Sequence, residues 1–164
     1  MTQMQHSPIL GTSRATWADE AGCAASAGSL ARSPALRDAF VELEGPLGAG
    51  KTTFVRYLLH ALGVEGRIKS PTYALVETYA LDHLAISHFD FYRFDDPQEW
   101  EDAGLRDLFG AAGLKLVEWA EKAQPLLPVP DLRVTITPHD ETIRGVRFDA
   151  MTPKGLHLIN NLRS

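Results

Sequence analysis

A chain of 164 residues has the length of one domain and can bury about two-thirds of its unfolded surface. Its apolar (45%) and charged (23%) fractions are those of a soluble globular protein, and its net charge of −5 argues against direct, tight nucleic-acid binding, which needs a basic face. The single cysteine, Cys23, excludes an intrachain disulfide and favours a reducing compartment; no apolar run approaches the roughly 20 residues of a membrane span, so a cytoplasmic location is expected.

In chain order, residues 1–13 read as a loose lead-in. Residues 16–32 (TWADEAGCAASAGSLAR) are Ala-rich, with Thr16 as an N-cap and acids in the first turn, which predicts a helix ended by Ser33-Pro34. Residues 39–44 predict a strand, and 51–62 a helix capped by Gly63. Two β-like runs, 72–80 and 84–91, lie so close that they must form an antiparallel hairpin, since a parallel pair needs a crossover of about a dozen residues. Asp96-Pro97-Gln98-Glu99 opens a helix: Asp caps, Pro takes the first position and Glu reaches back. Residues 114–118 predict a strand and 120–126 a short helix. Runs 131–137 and 142–150 flank a Pro-His-Asp-Glu turn as a second hairpin. The expectation is one α/β domain over 1–150 with a mixed parallel and antiparallel central sheet, and a C-terminal tail over 151–164.

Residues 43–54, LEGPLGAGKTTF, fit G-x-x-x-x-G-K-[ST] in full, with a strand before and a helix after. Such glycines curl the backbone so that successive N–H groups, here from Gly48, Ala49, Gly50, Lys51, Thr52 and Thr53, point at phosphate oxygens, and the helix adds its positive N-terminal end. Lys51 would reach the β- and γ-phosphates and the Thr52 hydroxyl would ligate magnesium. Pro46 lacks an N–H, but it precedes these donors and should remove no phosphate contact. No Asn-Lys-x-Asp tetrapeptide for reading guanine is present, which favours ATP.

Asp90, in HFDFYR, ends an apolar strand, where a P-loop protein places the acid that holds magnesium or its water; an Asp opening a turn is the alternative. His88 shares its face, and a satisfied structural histidine is the expectation. Thr72, in SPTY, has the place of a switch-loop threonine, although a capped turn accounts for the residues as well. Glu118, in LVEW, ends another strand at the crevice where open α/β sheets bind ligands, and could touch magnesium or activate water. Trp119 could be core or cover the nucleotide. Arg144 alone reads as a solvated hairpin charge.

In combination, GPLGAGKTTF, SPTYALVETY, HFDFYRF and LVEW, in this order and in a chain of this length, resemble the bacterial TsaE (YjeE) family. The resemblance runs from about Asp19 to Phe148. It implies a three-layer P-loop NTPase-like fold and a weak magnesium-dependent ATPase. It also implies partnership with the proteins TsaD and TsaB in forming threonylcarbamoyladenosine beside the anticodon of tRNAs that read codons starting with A, tRNA being met through the complex. By position it implies phosphate and magnesium binding by Lys51 and Thr52, a switch-like Thr72, a Walker B-like Asp90, Glu118 near magnesium with Trp119 beside it, and, more loosely, a nucleotide contact by Arg144. The family usually has an acid in place of Pro46 and often a threonine in place of Cys23. Two readings of the P-loop compete: a small-molecule kinase, for which Arg106 alone between Pro97 and Gly113 makes a poor lid, and a non-hydrolysing nucleotide-binding module.

Overall fold

The computed structural model describes residues 8–71, 75–102 and 104–162. At its centre the strand β2 (Phe40–Glu44) lies parallel to two others, β5 (Leu114–Glu118) on one side and β6 (Leu132–Pro138) on the other. β4 (Leu84–Asp90) extends the parallel set beside β5 and carries β3 (Val76–Leu81) as an antiparallel edge. At the other edge β7 (Arg144–Ala150) returns antiparallel to β6 and is followed by β1 (Gly11–Trp17). The order is β1-β7-β6-β2-β5-β4-β3, a mixed sheet as the sequence predicts.

Alternation along the central strands sends side chains to two separate apolar layers. Val41, Leu43, Leu114 and Leu116 face helices α1 (Glu20–Ala31), α2 (Lys51–Leu62) and α5 (Pro153–Leu162), meeting Ala27, Leu30, Phe54, Leu58 and Leu158. Phe40, Phe89 and Val117 face the opposite layer, built from α3 (Pro97–Asp102), α4 (Leu105–Gly110) and the 3-10 turn Ala120–Leu126. Aromatic rings carry this second layer, with Phe89 on Phe109 at 4.5 Å and Trp100 on Phe109 at 5.6 Å between centroids.

Three expectations need correction. Residues 11–13 are not a loose lead-in but the start of β1, and Thr16 caps nothing: it pairs with Gly145 inside that strand. The helix starts four residues later than predicted, where the Asp19 carboxylate accepts the Gly22 N–H at 3.2 Å. β1 shows little apolar alternation because, as an edge strand, it is held by backbone bonds to β7 rather than by a core face. The region 151–164, expected as a tail, contains α5, which packs on β7, β1 and α1 with Leu158 and Ile159 buried. The Thr152 hydroxyl opens that helix, donating to Asp131 Oδ1 at 2.7 Å and accepting the Gly155 N–H. Within the segment after Pro97 the single predicted helix is two, α3 and α4.

Truncating α5 at its anchor, Leu158→Ala, should cost about 2–5 kcal/mol, as for a fully buried leucine. A urea midpoint unchanged from wild type would mean that α5 does not contribute to the fold. Cys23, inside the α1 face, has its thiol pushed up from 9.0 to about 12 by burial, with the nearby Glu20 charge adding to this. Since the thiolate is the reactive form, alkylation by iodoacetamide at pH 8 should run roughly a thousandfold slower in the native chain than in urea. Equal rates would contradict that burial.

Candidate functional site

The loop between β2 and α2 has the shape its glycines demand. A Cβ on Gly45 would lie 2.6 Å from the Ile136 carbonyl oxygen, so no larger residue fits where the chain leaves β2 against β6. Pro46 is exposed, and its carbonyl accepts the Ala49 N–H at 3.0 Å, closing a turn that needs no N–H from proline. Gly50 then takes φ 109° in the left-handed region and α2 begins at Lys51 with no side-chain cap. The first N–H groups of α2, those of Lys51, Thr52 and Thr53, thus lack both an intrahelical partner and a cap, which makes the helix end a natural anion site.

Lys51 lies back across this loop. Its Nζ donates to the Gly45 carbonyl at 2.6 Å and sits 3.7 Å from the centre of the Trp119 ring. Burial pushes its amine below the usual lysine range, against the opposing pull of Glu118, Glu121 and Asp90. Trp119 accommodates the lysine by an unusual backbone: φ 59°, a left-handed conformation that costs a bulky residue about 1–3 kcal/mol. Tyr92 packs on the same ring at 5.0 Å.

The parallel register brings the two candidate acids side by side, because Asp90 at the end of β4 is paired directly with Glu118 at the end of β5. Glu118 is buried and reaches the P-loop helix: the Thr52 hydroxyl is 3.2 Å from each of its carboxylate oxygens. His88 Nε2 donates to Glu118 Oε2 at 2.7 Å. His88, expected as a structural histidine, thus touches a candidate site residue. Asp90 accepts the Tyr92 N–H at 2.9 Å. Its carboxyl is pushed above the usual range by burial, with the Glu118 charge adding to the rise and the Tyr92 bond opposing it. Asp90, Tyr92, Glu118 and the P-loop line a cavity of about 550 Å³. Ser70, Pro71 and Arg93 line it too, while Thr72 lies outside the described residues. Arg106 is remote from such a role, pairing with Glu101 in solvent.

A smaller cavity, about 270 Å³, opens on the other side of the same loop, between Trp17, Cys23, Gly50, Thr53 and Arg144. Arg144 is no solvated charge. Its Nε donates to the Ala49 carbonyl at 2.9 Å and its Nη1 to the Asp140 carbonyl at 2.9 Å, bridging the β6–β7 hairpin to the P-loop. Asp140 shapes that hairpin by accepting the Thr142 and Ile143 N–H groups, which hold its carboxyl below the usual range. Gly48, Ala49, Gly50, Lys51, Thr52, Thr53, Asp90, Glu118, Trp119 and Arg144 thus gather around one loop. Sequence reasoning missed Tyr92, Arg93 and Trp17 at these walls. Trp17 was hidden by the misplaced helix start, whereas Tyr92 and Arg93 stood next to Asp90 and could have been considered with it.

The loop geometry is matched by what the chain resembles. The family model for "Threonylcarbamoyl adenosine biosynthesis protein TsaE" matches residues 17–146. The tRNA threonylcarbamoyladenosine biosynthesis protein TsaE of Haemophilus influenzae is 45% identical over 120 residues, 73% of this chain and 75% of that one. The protein of the same name from Bacillus subtilis is 38% identical over 109 residues, 66% of this chain and 68% of its own. The crystal structure of Bacillus subtilis YdiB superposes with a TM-score of 0.77 at 28% identity, covering 96% of this chain and 97% of that one. With the match running from the end of β1 well into β7, and so across both acids and the P-loop, the chain belongs to the TsaE family.

Proposed function

We propose that the chain binds ATP with magnesium and hydrolyses it slowly alone and faster with TsaB and TsaD, in support of threonylcarbamoyladenosine formation on tRNA. The observation that carries this reading is the contact between the P-loop threonine and an acid at the end of the neighbouring parallel strand, the 3.2 Å approach of Thr52 to Glu118. A structural glycine turn has no need of that pairing. The two cavities flanking the loop suit a ligand with a phosphate chain between two different ends.

The residues fit a magnesium ion of the kind that keeps water and phosphate oxygens as ligands. Glu118 and Asp90 put two carboxylates next to each other with the Thr52 hydroxyl, a concentration of negative charge that a divalent cation relieves. Among the described residues no group of three or more His, Cys, Asp or Glu could hold a metal ion. Magnesium, when bound, supplies positive charge to the terminal phosphate oxygens.

The chain's own groups supply the rest. The N–H groups of Gly48, Gly50, Lys51, Thr52 and Thr53 and the α2 dipole hold the phosphates, whereas the Ala49 N–H, expected among these donors, is engaged by the Pro46 carbonyl. Lys51 leaves the Gly45 carbonyl and the Trp119 ring to reach them. Thr52 would ligate the ion, with Glu118 and Asp90 beside it. In the 550 Å³ cavity Asp90 orients the attacking water and accepts its proton. The water oxygen bonds to the terminal phosphorus as the bond to the bridging oxygen breaks, giving ADP and phosphate. Arg144 and the 270 Å³ cavity serve the nucleoside end. The net charge of −5 suits a chain that meets tRNA through partners.

Calorimetric titration with magnesium-ATP should give measurable binding by wild type and binding weaker by about ten- to a hundredfold for Lys51→Ala, the loss of a charge-assisted contact. Phosphate release by wild type should rise when TsaB and TsaD are added together. Asp90→Asn should lose most of that release while keeping nucleotide binding. No binding by wild type, or a rate indifferent to the two proteins, would overturn the reading.

A further inference from the structure

His88 is wholly buried in the middle of the sheet, on the same face of β4 as Asp90, and does not line the nucleotide cavity. Only one of its ring nitrogens has work to do. Nε2 donates to Glu118 Oε2 at 2.7 Å, and Nδ1 has no hydrogen-bond partner among the described residues. Leaving a buried polar atom unpaired is unfavourable, so the imidazole carries a cost at Nδ1 that the bond from Nε2 to Glu118 must offset. Packing therefore does not explain the imidazole, and the bond to Glu118 remains as its contribution.

That bond resolves an ambiguity in the site. The Thr52 hydroxyl lies 3.2 Å from both Glu118 oxygens, so it bisects the carboxylate and does not fix the plane of the group. The terminal torsion of a glutamate is broad and roughly two-fold, so the group can turn. His88 grips Oε2 from the side of β4, where it is paired with Leu116, two residues before Glu118. Oε1 is then the oxygen left without a second donor.

We infer that His88 is a positioning residue, which orients the Glu118 carboxylate so that Oε1, next to the Thr52 hydroxyl, is presented to a nucleotide-bound divalent cation. This rests on the reading of the site as one for a magnesium nucleotide. His88 acts through Glu118 and touches neither nucleotide nor ion. Its removal should weaken the cation-dependent part of nucleotide binding and spare the part held by the P-loop N–H groups.

The test is the affinity of the full chain for ADP, titrated once with magnesium and once with EDTA, in wild type, His88→Leu and His88→Gln. His88→Leu should lose about tenfold of the gain that magnesium confers, with its affinity in EDTA within about twofold of wild type. His88→Gln, whose amide N–H can donate to the same carboxylate, should keep most of the gain. Thermal melts followed by circular dichroism establish that each variant folds, and His88→Val replaces His88→Leu if leucine does not. A magnesium gain that the apolar variant retains would overturn this inference alone. Affinity lost equally in EDTA would show a general structural role and would also overturn it. A wild-type chain that binds ADP equally with magnesium and with EDTA would overturn this inference alone, and one that binds ADP in neither would overturn both this and the nucleotide reading.

Discussion

The short hydrogen-bonded path from His88 through Glu118 to Thr52 is the constraint around which this molecule is organised. It ties the paired strands β4 and β5 to the first turn of α2. A carboxylate this buried is tolerated because donors surround it. Its position follows from the parallel pairing of β2 with β5, which puts the ends of both strands, one leading into the P-loop and one carrying the acid, at the same edge. Helix start, loop and acid are therefore set by one register.

Strain and cation placement converge at the next residue. Trp119 adopts a left-handed backbone at the point where β5 ends, and its ring carries Lys51 on one contact and Tyr92 on another. Strained conformations persist when their surroundings over-determine them, and here the Lys51 and Tyr92 side chains do so. Arg144 performs the corresponding task on the far side, anchoring the loop's Ala49 carbonyl to the last hairpin. The P-loop is thus braced on two sides while its N–H groups stay directed to the open face.

Much of this was legible in the sequence where local chemistry determines local structure. The bounds of α2 follow from Gly50 and Gly63, both of which adopt the positive φ that favours glycine. The antiparallel hairpin of β3 and β4 follows from a gap too short for anything else. The errors fall where tertiary contacts decide. β1 is an edge strand with little alternation of its own, and it was taken for a lead-in and the start of a helix. α5 hides in an unremarkable tail because its apolar residues, Leu158 and Ile159, have meaning only against β7 and α1. Within the site, the acids were recognisable as strand-end carboxylates, yet the bond from Glu118 to Thr52 spans 66 residues and Arg144 reaches Ala49 across 95. No periodicity or spacing reveals contacts of that range.

Those same separations bear on how the loop acquires its shape during synthesis. The residues from Gly45 to Thr53 leave the ribosome early, but β2 is flanked by strands that begin at Leu114 and Leu132. Until the first is made β2 has neither flanking partner, and until the second is made Gly45 has no Ile136 carbonyl to pack against. The entropy of closing loops this long falls due before any of the contacts form. The nascent chain consequently carries an apolar segment, Phe40 to Leu43, without cover through most of translation. The loop between β2 and α2 is thus synthesised well before the strands that hold its base in place.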